Sequence, residues 1–197
     1  AHEVHQLALS LQGLPGDMDP YPLASCIWCF DRIREAGGLG VFCHPYWVYR
    51  HRQDVPEALT DLLLERRPFD ALEVIGGYHR AETESNALQV ARYHVETARG
   101  GPLAIVGASD AHGCFTGELF GWYRTLVFAA GPEREDVISA VRGLRSVAVE
   151  SLPGAPVRIH GPWRLVRFAH YLVREVFPEH DRLCGEEGRL MLEHAAA

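Results

Sequence analysis

Three features of the sequence predict an α/β fold. Short, mostly apolar strand-like stretches recur at 39–43, 71–75, 103–106, 125–129 and 146–149, separated by longer amphipathic stretches. Runs such as "LAIV" at 103–106 are apolar without alternation, the signature of strands covered on both faces. Glycines close the runs, as at Gly76, Gly77 and Gly107. Repeated strand-then-helix units imply parallel strands joined by helices, in a sheet or a barrel.

Each element follows from its local pattern. Residues 4–11, short and apolar, are read as a first strand, followed by the loop "GLPGDMDPYP". Residues 23–36 form a helix closed by Gly37 and Gly38. Strand 39–43, amphipathic helix 56–67, strand 71–75, long helix 81–98 and strand 103–106 follow in turn. Strand 125–129, helix 133–144 behind Pro132, and strand 146–149 complete the alternation. Beyond residue 155 the pattern changes to "GPWRLVRFAHYLVREVF", apolar at helical spacing, with a second short helix expected over 186–195. Residues 1–155 are therefore assigned to the α/β portion and 156–197 to a helical C-terminal extension.

The chain has 197 residues, 47% of them hydrophobic, enough for one domain with a substantial core. A net charge of -7 argues against broad binding to a nucleic-acid backbone but leaves room for a small phosphorylated substrate. No run is long enough to span a bilayer and no signal-peptide pattern is present. Cys26, Cys43 and Cys184 lie among apolar neighbours or in expected helices and are read as reduced and mostly buried, which places the protein in the cytoplasm. Cys26 and Cys29 form a CxxC, but at helical core spacing and with no second CxxC to complete a zinc site. They are expected to be a buried helical pair without metal or redox function.

Functional side chains of parallel α/β folds gather at the carboxyl ends of strands. By that rule His5, His44 after "LGVFC", Glu73 in "ALEVIGG", and Asp110 and His112 after "LAIVGAS" face one rim. Singly, each reads as a hydrogen-bonding or capping residue; jointly, they supply the imidazole and carboxylate donors of a divalent-metal hydrolase. In an extended "DAH" segment, residues two apart point the same way, so Asp110 and His112 share a pocket. His79, in the loop after Glu73, is a further candidate.

These stretches resemble a known family. "HEVHQLAL", "GGLGVFCHPYW", "FDALEVIGGYH" and "GASDAHG" are similar, in order and approximate spacing, to successive motifs of the PHP (polymerase and histidinol phosphatase) superfamily, over about residues 2–150. The resemblance implies a distorted (β/α) barrel, here its C-terminal strands, around two or three divalent metal ions such as Mn, Zn or Fe. His5 and His44 resemble two ligands of one metal, Asp110 a ligand of a second, and His112 a ligand at the third position. Glu73 matches an acidic position beside the ligands. His112 and His79 are the candidate proton donors to a leaving group. The family's HxH motif, a further His and a bridging Glu precede the position of His5, so further residues are expected upstream. The activity implied is metal-dependent hydrolysis of a small-molecule phosphoester by metal-activated water. The alternatives are hydrolysis of a carbamate or carboxylate ester, at which "HPYW" hints, or a binding module without turnover.

Overall fold

A computed structural model describes residues 2–49, 52–53, 55–77, 83–112 and 121–196. Helix α1 (His2–Ser10) leads into α2 (Pro20–Glu35). Strand β1 (Val41–Phe42) and a small hairpin, β2 (Val48–Tyr49) with β3 (Arg52–Gln53), precede α3 (Glu57–Arg66), β4 (Ala71–Gly76), α4 (Thr83–Gly100) and β5 (Ile105–Ala108). Then come β6 (Tyr123–Val127), α5 (Arg134–Arg142), β7 (Ser146–Glu150) and β8 (Arg158–His160). Helix α6 (Trp163–Tyr171) runs through a π-helical turn (Leu172–Val176) into α7 (Phe177–Ala195).

The first segment is helical, not a strand. Val4, Leu7, Ala8 and Leu11 recur at i, i+3, i+4 and i+7, the period of one helix face, and Ala8 is buried. Helix α2 starts where Asp19 accepts a bond from the Tyr21 amide, with Pro20 in the first turn. It stops in a Schellman turn: Gly37 N–H donates to Arg34 O and Gly38 N–H to Ile33 O. Gly37 sits at φ 72°, a conformation that favours glycine.

The chain is mixed α/β, and its described strands do not close a barrel. Strands β1, β4 and β5 form a parallel sheet in the order β1-β4-β5, with Phe42 opposite Leu72 and Leu72 opposite Ile105. Strand β4 is buried along its whole length, as its mostly apolar sequence predicts, with Glu73 the one charged residue inside it. Strands β6, β7 and β8 pair antiparallel in a second sheet, against the expectation of parallel strands throughout. The edge of β5 meets that sheet through hydroxyls instead of a backbone ladder. Gly107 N–H donates to Thr125 Oγ1 (3.0 Å), the Thr125 hydroxyl donates to Gly107 O (2.8 Å), and the Ser146 hydroxyl donates to Ile105 O (2.7 Å). A Cβ on Gly107 would lie 2.8 Å from Arg124 O, so only glycine lets the two backbones approach.

The main core gathers Leu23 and Phe30 of α2, Leu63 of α3, Phe69, and Leu72 and Ile75 of β4. Helix α6 lays Leu165, Val166 and Ala169 against Val147 and Val149 of β7. The extension continues as one long helix, not a short one, and α7 buries no residue. No helix among the described residues is long and apolar enough to cross a membrane. The cysteine reading needs correction: Cys43 and Cys184 are exposed, and within the CxxC only Cys26 packs toward the core while Cys29 is exposed. Helical periodicity puts Cys29 three positions on from Cys26, near the edge of the buried stripe, not inside it.

Candidate functional site

The parallel sheet brings three loops together at its carboxyl edge. His44 follows β1, Gly76 and Gly77 end β4, and Asp110 follows β5. His44, Trp47, Gly76, Asn86 and Asp110 line one narrow cleft with about 10 Å3 of accessible space. That is the room of roughly one water molecule or ion.

Backbone conformation singles out the same two side chains. The described non-glycine residues at positive φ are His44 (32°), Arg67 (48°), Asp110 (50°) and Leu144 (60°). Arg67 caps α3 and Leu144 follows the end of α5, where left-handed residues terminate helices. His44 and Asp110 end no helix. Non-glycine residues held in this region cost about 1–3 kcal/mol and cluster at functional sites.

His44 is half-buried, its ring edge-on to Trp47 at 5.9 Å between centroids. Its Nδ1 is buried and, among the described residues, has no hydrogen-bond partner. Asp110 Oδ1 lies 4.0 Å from His112 Nε2, and the His112 side chain is exposed. Below them, Glu73 is buried. It carries its carboxylate over Gly76, where a Cβ would collide with it, which explains why β4 ends in glycine. Although Cys43 is exposed as a residue, burial of its sulfur, the charge and hydrogen bond of Glu73 and the charge of Asp110 push its thiol up to about 12. Cys43, Glu73 and Asp110 therefore share one electrostatic neighbourhood.

Residues on α4 hold the strand end in place. Asn86 Oδ1 accepts from Gly76 N–H (3.0 Å) and Asn86 Nδ2 donates to Gly76 O (2.9 Å). Gln89 Nε2 donates to Asn86 Oδ1 (3.2 Å), leaving Gln89 Oε1 buried and without a partner among the described residues. The sequence reading passed over both. The available signal was a pair of amides at i and i+3 on the face of α4 that also carries Val90 and Tyr93. Polar residues on the buried face of a helix ask for a partner.

His5 is not brought to this cleft. It rides on α1, its Nδ1 2.5 Å from the Tyr21 hydroxyl and its ring stacked at 6.0 Å on that of Tyr21. A helix presents it sideways to a neighbouring helix, whereas the expected strand would have carried it to the sheet edge. His79 lies outside the described residues. Among the described residues, no three His, Cys, Asp or Glu side chains converge into a metal-holding group. His44 and Asp110 line the cleft and His112 lies 4.0 Å from Asp110, so the donor types on offer are imidazole and carboxylate.

A larger groove of about 670 Å3 lies between α3 and α4. Its central cation, Arg92, is already bound to Asp61 (2.6 Å), Glu96 (2.8 Å) and Glu57 (3.3 Å), and no strand end opens into it. The cleft at the strand ends is the better candidate site. No model of a known protein family matches the chain, and neither curated proteins nor solved structures give a match.

Proposed function

We propose that the chain carries part of the active site of a metal-dependent hydrolase acting on a small phosphoester, built on a distorted (β/α) barrel of the PHP type. The observation that supports this reading is the pairing of His44 and Asp110. Both follow parallel strands, both hold left-handed backbone conformations outside helix ends, and both line one cleft in which His44 Nδ1 has no partner among the described residues. A turn role accounts for the φ of Asp110 but not for its sharing a cleft with His44. Divalent ions, when bound, supply a Lewis acid that polarises the ester and lowers the pKa of water.

The chain's own residues have separate tasks in this reading. His44 offers a ring nitrogen and Asp110 the anionic charge that retains a cation. His112, exposed and 4.0 Å from the Asp110 carboxylate, is the proton donor to the leaving group in this reading. Asn86 fixes the Gly76 strand end that floors the cleft. His79 is a second proton donor in the same proposal. The ligand role proposed for His5 needs α1 to bring its ring to the cleft, which His5 does not line; the bond of Nδ1 to Tyr21 leaves Nε2 as the coordinating atom.

The test combines calorimetric titration of Mn2+ and Zn2+ with hydrolysis of p-nitrophenyl phosphate and p-nitrophenyl acetate. Wild type, Asp110→Asn and His44→Gln are compared. The proposal expects metal binding by wild type, phosphoester turnover, and loss of both by orders of magnitude in the variants with unchanged circular dichroism. Turnover of the acetate alone supports the carboxylate-ester alternative. Metal binding without turnover supports a binding module. Equal metal binding by wild type and Asp110→Asn removes Asp110 from the site.

A further inference from the structure

The C-terminal helix is built unlike the rest of the molecule. One face of α6 covers β7, but the other exposes Trp163 (72%), Phe168 (49%) and Tyr171 (56%). Arg164 and Arg167 flank these rings and, among the described residues, have no carboxylate partner; Arg167 lies over the Trp163 ring at 5.8 Å. Together Arg164, Arg167, Phe168 and Tyr171 line a shallow concavity. Helix α7 buries nothing and leaves Leu183, Leu190 and Met191 in solvent. Helices owe most of their stability in proteins to packing of an apolar face. A fully exposed helix with a leucine stripe lacks that support.

The charges are divided along the helix. Residues 151–174 hold Arg158, Arg164, Arg167 and Arg174 and no acid, in a chain whose net charge is -7. Residues 175–195 hold six acids against Arg182 and Arg189, a net charge of -4 that balances the +4 of the preceding segment. This polarity opposes the helix macrodipole, which favours acids at the N-terminal end and bases at the C-terminal end. It is disfavoured in an isolated helix and matched by an antiparallel copy of itself.

The π turn brings the two halves into line. Pro178, in the first turn of α7, has no N–H to donate, and Phe177 N–H bonds Leu172 O, five residues back. The wide turn absorbs one residue. Arg164 and Leu183 lie nineteen positions apart in the sequence; with one absorbed, the remaining eighteen make about five turns of 3.6 residues. The same count holds from Arg167 to Glu186. Tyr171 and Leu183, with one residue absorbed, are separated by about three turns. The aromatic-basic stripe and the leucine-acidic stripe therefore share one face.

We propose that this face is a self-association surface whose partner is a second copy of the chain, packed antiparallel about a twofold axis near Phe177. In that register Tyr171 packs on Leu183 of the second copy, Arg167 meets its Glu186 and Arg174 meets its Glu179. The twofold axis repeats every contact. Arg182 holds Glu179 and Glu186 in the single chain, but these are exposed pairs of small individual value and exchange readily.

Sedimentation velocity of the full chain tests the proposal. Wild type is expected to form a dimer. Arg167→Glu and Glu186→Arg each put like charges opposite one another and weaken the dimer by at least about tenfold. The combined Arg167→Glu/Glu186→Arg variant recovers it. Leu183→Asp, an exposed position whose change leaves circular dichroism intact, gives a monomer. A monomeric wild type overturns the proposal, as does a dimer insensitive to Leu183→Asp or a double reversal that fails to recover. Wild-type monomer that binds phosphatidylserine vesicles or a single-stranded oligonucleotide through α6 overturns it in favour of a foreign anionic partner.

Discussion

Arg142→Ala probes the clip that sets the sheet presenting the candidate site. Asp70, just before β4, accepts from Gly40 N–H (2.8 Å) and from Arg142 Nε and Nη2 (3.0 and 3.1 Å). Arg142, at the end of α5, also donates to Gly38 O (2.8 Å). The clip ties α5, the entry to β1 and the entry to β4, and so the register from which His44 emerges. Charge-assisted hydrogen bonds are worth about 1.5–3 kcal/mol. The Arg142 side chain is 37% exposed, so solvent screening lowers the expected cost to roughly 1–2 kcal/mol. For a domain of this size that is a fall in Tm of about 2–8 °C.

The effect has a pH window. Partial burial pushes the Asp70 carboxyl up, but hydrogen bonds from Arg142 and Gly40 and the charges of Arg142 and Arg34 outweigh it and hold the group below its usual range. A depressed carboxylate stabilises the fold above its unfolded pKa of about 3.9 and loses that contribution as pH falls through the folded value. The gap in Tm between wild type and Arg142→Ala is therefore constant from pH 8 to pH 5 and closes below about pH 4. Differential scanning calorimetry across that range measures it. A gap that persists undiminished at pH 3, or no gap at neutral pH, refutes the reasoning.

Gly76→Ala should place a methyl group on the Glu73 carboxylate and press on Ala108 O. An overpacking cost of about 1–3 kcal/mol is expected by denaturant titration, together with weaker metal binding by calorimetry. Thr125→Val should leave Gly107 N–H unpaired between the two sheets, costing about 1–3 kcal/mol, read as a lower urea midpoint with an unchanged slope. Burial raises the Cys26 thiol, with the neighbouring Cys29 adding to the effect, whereas Cys29 is exposed. Iodoacetamide labelling followed by peptide mass spectrometry should find Cys29 modified well before Cys26.

The sequence by itself determined the elements whose signal is local. Strand β4 is a mostly apolar run ended by glycines, α2 carries its own cap and Schellman glycines, and α3 repeats leucines at helical spacing; each was legible because neighbours in the chain supply the pattern. His44, Asp110 and His112 were legible as candidates because they follow such runs. Tertiary structure decided the rest. Residues 4–11 read as a strand because the stretch is short and apolar, but its apolar residues also fit a helix period, and packing against α2 settles which period wins. Pairing of β6, β7 and β8 is antiparallel because partners distant in sequence meet, and Thr125 and Ser146 cap the β5 edge with hydroxyls that no periodicity announces. The cleft itself depends on Asn86 reaching back ten residues to Gly76 and on Glu73 lying over a glycine. Contacts of that kind are set by where whole elements pack, and a one-dimensional pattern of apolar and polar residues records only which face is buried, not what it meets.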